Sequence, residues 1–202
     1  MSRCPSTPLS ETSDGLRLFL AINLTPEVRR DVADATAALR EAVPELAWVR
    51  EHLLHLTLKF LGDQTDERAE ELRPVLETVA GRHRALSMTL GGIGAFPNFR
   101  RARVVWLGVG QDPRLELLHH DVEVACEALK FEVEGRPFRP HLTLARVREP
   151  LVEERARVLS REAKRMKYHT EFVVHSIDLM RSDLSAGGPS YTTLVSAAFR
   201  ST

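Results

Sequence analysis

The sequence predicts an α+β fold with a largely antiparallel sheet, and three observations carry that reading. Apolar segments of strand character alternate with segments of helical periodicity. Several strand pairs are joined by turns too short for a parallel crossover, which disfavours a doubly wound parallel sheet. One strand motif also occurs twice, at 55–58 and at 141–144, in similar surroundings, which points to two related lobes.

The elements follow in order. LRLFLAIN (16–23) is short and apolar and runs into Thr25-Pro26, an N-cap followed by proline at the first helical position. EVRRDVADATAALREAV (27–43) keeps helical periodicity up to Pro44. AWVR and LLHLTLKFLG read as strands. Asp63 to Arg82 reads as a helix, capped by Thr65 or Asp66 and ending near Gly81. LSMTLGGIGAF and ARVVWLGVG are strands flanking a Pro-Asn turn. DPRLELLHHDVEVACEALKF is a helix with Asp112 as its cap. RPHLTLARV (139–147) is a strand and EPLVEERARVLSREAKRM a helix. HTEFVVHSIDLMRSDL and PSYTTLVSAAF close the chain as two strands around Gly187-Gly188-Pro189. The Ser-, Thr- and Pro-rich start reads as a disordered tail over 1–14, leaving 15–202 as a single bilobal domain.

Bulk composition narrows the function. The 202 residues carry a formal net charge of zero, whereas a protein that coats nucleic acid is usually basic. A small phosphate-bearing substrate held by a few local arginines remains compatible. Cys4 and Cys126 lack metal-type spacing, so neither a disulfide framework nor a zinc site follows, and a reduced, cytoplasmic setting is expected. No segment reads as a secretory signal or a membrane span.

The repeated tetrapeptide carries the chemistry. In His55-Leu56-Thr57-Leu58 and His141-Leu142-Thr143-Leu144, strand alternation puts His and Thr on one face and the leucines on the other. A pseudo-twofold arrangement of the lobes would bring two imidazoles and two hydroxyls to one ligand. One imidazole can accept a proton while the other donates one near neutral pH. The threonine hydroxyls can bond phosphate oxygens. No acidic cluster is present to hold a metal, so attack on a strained cyclic phosphodiester is the natural reaction.

These paired motifs resemble the signature of the two-histidine (2H) phosphoesterase superfamily, and most closely its RNA 2′,3′-cyclic phosphodiesterases, long called 2′-5′ RNA ligases. LRLFLAINL, HLTLKFLG, GGIGAFPNFRRARVVWLGV, RPFRPHLTLARV and LMRSDLSAGGPSYTTL support the resemblance from Leu16 to Phe199. The resemblance implies a bilobal 2H phosphoesterase fold around a central cleft. It implies hydrolysis of RNA or nucleoside 2′,3′-cyclic phosphate ends to 2′-phosphomonoesters without a metal or other cofactor. His55 would donate a proton to the leaving 3′ oxygen and His141 would activate water, although near-symmetry leaves the reverse assignment open. Thr57 and Thr143 would hold phosphate oxygens. Run backwards, the site would join a cyclic end to a 5′-hydroxyl, but roughly 55 M water favours hydrolysis unless the RNA ends are held together. The partners implied are RNA ends or nucleotides bearing the cyclic phosphate, with no membrane and no obligate protein partner.

Neighbouring residues divide less cleanly. Arg146 and Phe60 each lie five residues after a motif histidine, an odd offset that turns them to the opposite face unless a bulge intervenes. The resemblance nonetheless makes Arg146 a phosphate-binding candidate, while Phe60 reads as core. Lys59 has the parity for the cleft. Tyr191 could stack on a nucleobase or simply pack. Arg100, Arg101 and Arg103, with Arg136 and Arg139, could steer an RNA backbone or be ordinary loop charges. A different substrate, such as a small cyclic nucleotide or a 2′-5′ oligonucleotide, would use the same site. An RNA-end binding module is a rival reading, but it needs no matched acid and base. A nucleotide-dependent ligase is disfavoured by the lack of a G-x-x-x-x-G-K-[ST] loop.

Overall fold

The computed structural model describes residues 16–185 and 188–201, so the expected tail and Gly187 lie outside the described residues. The chain runs β1 (Leu16–Asn23), α1 (Pro26–Ala35), α2 (Ala37–Ala42), β2 (Ala47–Trp48), β3 (His55–Gln64), α3 (Asp66–Ala80), β4 (Leu86–Phe96), β5 (Val104–Val109), α4 (Pro113–Ala128), β6 (His141–Arg146), α5 (Glu153–Arg165), β7 (His169–Val174), β8 (Ser176–Ser185) and β9 (Gly188–Ala198). Single 3₁₀ turns sit at Glu51–Leu53 and Phe99–Arg101.

The caps form as local chemistry dictates. The Thr25, Thr65 and Asp112 side chains accept from Val28, Arg68 and Arg114 backbone N–H groups, fixing where α1, α3 and α4 begin. The helix expected over 27–43 is instead two helices. Thr36 is fully buried, and its hydroxyl donates back to the Val32 and Ala33 carbonyls, a bond that bends helices.

All nine strands join one sheet in the order β7-β4-β5-β6-β3-β1-β8-β9, with β2 added beside β6. The named strand pairs are antiparallel. The two lobes are therefore halves of a continuous sheet, β7-β4-β5-β6 and β3-β1-β8-β9, which meet where β6 pairs β3. The run expected as one strand over 169–184 is two strands, split at His175 and serving different halves. The sheet curls far enough that a single residue links β7 on one rim to β8 near the other. The Phe199 N–H donates to the His175 carbonyl, and an Arg84–Arg200 bridge closes the same corner.

The apolar core lies on one face only. Leu18, Leu20, Leu56, Leu107 and Leu142 project to this back face against α3 and α4, where Leu72, Leu76, Leu115 and Leu118 complete a continuous cluster. A second cluster beside it joins α2 and α5 to β5 and β6 through Leu39, Leu159, Val105 and Ala145. All helices stand behind the sheet, which leaves the opposite, concave face free for a ligand.

Candidate active site

The site grows from the central strand pair. Leu56 lies opposite Leu142 in the antiparallel register, and both are buried on the back face. The residues that flank them must project forward. His55 is therefore set across from Thr143 and Thr57 across from His141, with the histidines on the diagonal. Sheet geometry places diagonal neighbours about 7–8 Å apart, a separation that two imidazoles can span around one phosphate. Opposition of the motifs arises from neighbouring strands of one sheet.

Bulges decide the residues that follow. On β3 the register passes from Ala21↔Thr57 to Leu20↔Lys59, so Leu58 is an extra residue. On β6 it passes from Trp106↔Thr143 to Val105↔Ala145, so Leu144 is extra. Each bulge inverts the alternation beyond it. The structure thus brings His55, Thr57, His141, Thr143 and Arg146 to one face.

The same bulges correct two expectations. Lys59 turns to the back face, 6% exposed, where Nζ meets Glu123 Oε2 of α4 at 2.7 Å and the Glu132 carbonyl at 2.7 Å. Phe60, expected in the core, turns to the concave face and is 69% exposed. Phe60 and Arg146 are equivalent positions of the two motifs, one apolar and one cationic.

Both imidazoles are held alike. Nδ1 of His55 lies 2.8 Å from the Leu53 carbonyl, and Nδ1 of His141 lies 2.6 Å from the Arg139 carbonyl. A carbonyl only accepts, so Nδ1 carries the proton and Nε2 of the neutral ring is free to accept. On His55 that nitrogen is 3.1 Å from the Thr57 hydroxyl. Burial, and after it the positive charges of Arg29 and Arg146, hold the His55 imidazole below its ordinary value against the opposing Leu53 hydrogen bond.

Arg29 escaped the sequence reading. Its Nη2 donates to Asn23 Oδ1 at 3.1 Å, and Asn23 Nδ2 donates to the buried Asp178 at 2.8 Å, which also accepts from Ser196. Asn23 pairs His55 in the β1–β3 register. The available signal was position: Arg29 lies one turn into a helix whose cap follows directly on a strand that borders a motif strand.

Aromatic rings wall the cleft. Phe19 and Tyr191 lie 4.9 Å and 5.2 Å from the His55 ring, and Phe60 lies 6.2 Å from Phe19. On the other side Phe96 packs edge-on to His141 at 5.1 Å, with Trp106 behind it. Trp106 lies over Gly94, where any Cβ would sit 2.0 Å from its ring. Among the described residues no group of three or more His, Cys, Asp or Glu side chains is arranged to hold a metal ion. His119, instead, stacks on Phe138 at 3.9 Å, and His83 meets Asp121 at 2.9 Å, both on the helical side. No helix among the described residues is long and apolar enough to cross a membrane.

Known proteins resemble this chain in sequence and in fold. The family model of the 2′-5′ RNA ligase superfamily matches residues 26–186. An RNA 2′,3′-cyclic phosphodiesterase of Geobacillus stearothermophilus is 33% identical over 184 residues, covering 90% of this chain and 56% of that protein. The chain thus spans little more than half of that relative's length. The RNA 2′,3′-cyclic phosphodiesterase of Methanothermobacter thermautotrophicus is 30% identical, covering 89% of this chain and 96% of its own. The crystal structure of E. coli LigT complexed with 3′-AMP superposes with a TM-score of 0.68 at 29% identity, over 93% of this chain and 99% of that one.

Proposed function

Because the chain belongs to the 2′-5′ RNA ligase superfamily, we propose that it hydrolyses 2′,3′-cyclic phosphates, on RNA ends or nucleosides, to 2′-phosphomonoesters. The observation that carries this reading is the diagonal pair of imidazoles, each with Nδ1 on a carbonyl and Nε2 facing the cleft.

In-line attack needs a base and an acid on opposite sides of phosphorus. His141 Nε2 takes a proton from water as the water oxygen bonds to phosphorus. The P–O3′ bond breaks, and His55 Nε2 delivers its proton to O3′. The product is a 2′-phosphomonoester with a free 3′-hydroxyl, and solvent exchange resets both rings. Thr57, Thr143 and Arg146 hold the non-bridging oxygens, with Arg146 meeting the charge that builds in the transition state. Burial and the charges of Arg29 and Arg146 lower the His55 pKa, and the phosphate anion supplies the counter-charge that lets the ring hold the proton it delivers. Phe60, with Phe19 beside it, gives the nucleobase a face on which to stack.

Replacing either histidine by alanine should lower kcat by about 10²–10⁴ for the lost proton transfer, with the fold intact by circular dichroism. A 3′-thio substrate, whose thiolate leaves unprotonated, should restore turnover to His55→Ala and not to His141→Ala. The opposite pattern would reverse the two roles. Hydrolysis retained in the double variant would sink the assignment.

A further inference from the structure

A groove of about 560 Å³ lies outside the histidine cleft, between the 99–101 turn and α5. Its volume is in the ordinary range for a bound small molecule or a single residue of a polymer. Asn98, Phe99, Arg100 and Arg101 line one side, and Leu151, Glu153 and Arg157 the other.

The turn is tied rigidly to the site. It begins at Phe96, whose ring touches His141, and the Arg103 N–H donates back to the Phe96 carbonyl at 2.7 Å. It ends at Val104, which pairs Arg146, while the Val147 N–H donates to the Arg103 carbonyl at 2.9 Å. The turn thus springs from the strand pair that carries Arg146, at the edge of the phosphate site.

Its charge suits a polyanion. The segment FPNFRRARV (96–104) holds three arginines and no acid, in a chain that is neutral overall. Asn98 Oδ1 accepts from the Arg100 and Arg101 backbone N–H groups, which sets the turn without engaging either guanidinium. Neither guanidinium has a carboxylate partner among the described residues, whereas Arg157 is paired with Glu153 and Arg155 with Glu45. Phe99 and Leu151 supply an apolar floor for a base.

We infer that this groove binds the single-stranded RNA chain immediately 5′ of the cyclic-phosphate nucleotide, with Arg100 and Arg101 on its phosphodiesters. The inference rests on the proposed hydrolysis and narrows its substrate class to polynucleotide ends. The enzyme should then prefer an oligoribonucleotide over a mononucleotide with the same cyclic terminus, because single-strand grooves combine cationic and stacking contacts.

The test compares kcat/KM for adenosine 2′,3′-cyclic phosphate and for an eight-nucleotide RNA ending in that group, across a salt series. In Arg100→Ala/Arg101→Ala the oligomer should lose about tenfold or more while the mononucleotide is unchanged. The salt slope for the oligomer should shrink by about 1.4, from roughly 0.7 per phosphate contact on a single strand. Arg100→Lys/Arg101→Lys should recover much of the loss. A wild type without preference for the oligomer, equal losses on both substrates, or an unaltered salt slope would overturn the inference. Should the wild type cleave neither substrate, the hydrolysis reading fails instead. Fluorescence anisotropy with a labelled 2′-O-methyl octamer then decides the groove alone: binding weakened by the double alanine change supports it, and unaltered binding overturns it.

Discussion

Replacing Lys59 by methionine tests the bulge at Leu58, because the bulge alone sends this side chain backward. The Lys59 and Glu123 side chains are 4% and 11% exposed, and Nζ also donates to the Glu132 carbonyl. Methionine fills similar volume but strips the carboxylate of its counter-ion. Glu123 Oε2 would retain the Glu134 N–H at 3.2 Å, and Oε1 has no hydrogen-bond partner among the described residues, with His119 Nε2 3.8 Å away. Removing one member of a buried pair typically costs about 3–5 kcal/mol. In a chain of this length each kcal/mol lowers Tm by about 2–4 °C, so a fall of about 6–20 °C is expected. Lys59→Met/Glu123→Leu removes both charges and should regain most of the loss, since a well-packed apolar pair often matches a buried ion pair. Urea and thermal unfolding of the three proteins supply the measurement. A single variant within about 1 kcal/mol of wild type, or a double variant no more stable than the single, would refute a desolvated pair; such a small loss is typical of exposed ion pairs.

Other consequences are equally direct. The folded-state pKa of His55 lies below its ordinary value of 6.5, so the unfolded chain binds more protons there and stability falls as pH drops below about 6.5. His55→Asn should flatten that part of the Tm–pH curve, and an unaltered curve would contradict the assignment. Gly94→Ala drives a methyl into the Trp106 ring and should cost about 1–3 kcal/mol, with altered tryptophan fluorescence, whereas an unchanged melt would mean that the ring yields freely. Cys126 is buried and its thiol is pushed up to about 11, so iodoacetamide should modify it slowly until urea unfolds the chain. Turnover should survive EDTA and follow a bell-shaped pH profile set by two imidazoles.

The sequence exposed whatever local chemistry determines. Thr25, Thr65 and Asp112 announce their helices because a cap acts within four residues. The paired His-Leu-Thr-Leu segments announce a site because alternation is a property of one strand. Beyond Thr57 and Thr143 that rule breaks, since a bulge is an agreement between two strands. Nothing in LTLKF or LTLAR marks Leu58 or Leu144 as the extra residue. Lys59, Phe60 and Arg146 all change faces for that one reason. Arg29 stayed hidden because its link to His55 passes through Asn23, which meets His55 only across the β1–β3 pairing. The split at His175 was equally non-local, because only the partner strands β4 and β1 distinguish the two halves of a segment that keeps strand character throughout.

That one-residue passage from β7 to β8 has a mechanical meaning. The half carrying His55 receives its outer two strands only after the chain has completed the half carrying His141, so no single cut yields two intact pieces. Stitched together at the far rims as well as along the middle, the halves cannot swing apart like the covers of a book. On the proposed function, a bulky RNA end would enter as side chains such as Phe60 and Tyr191 shift over a frame that holds its width.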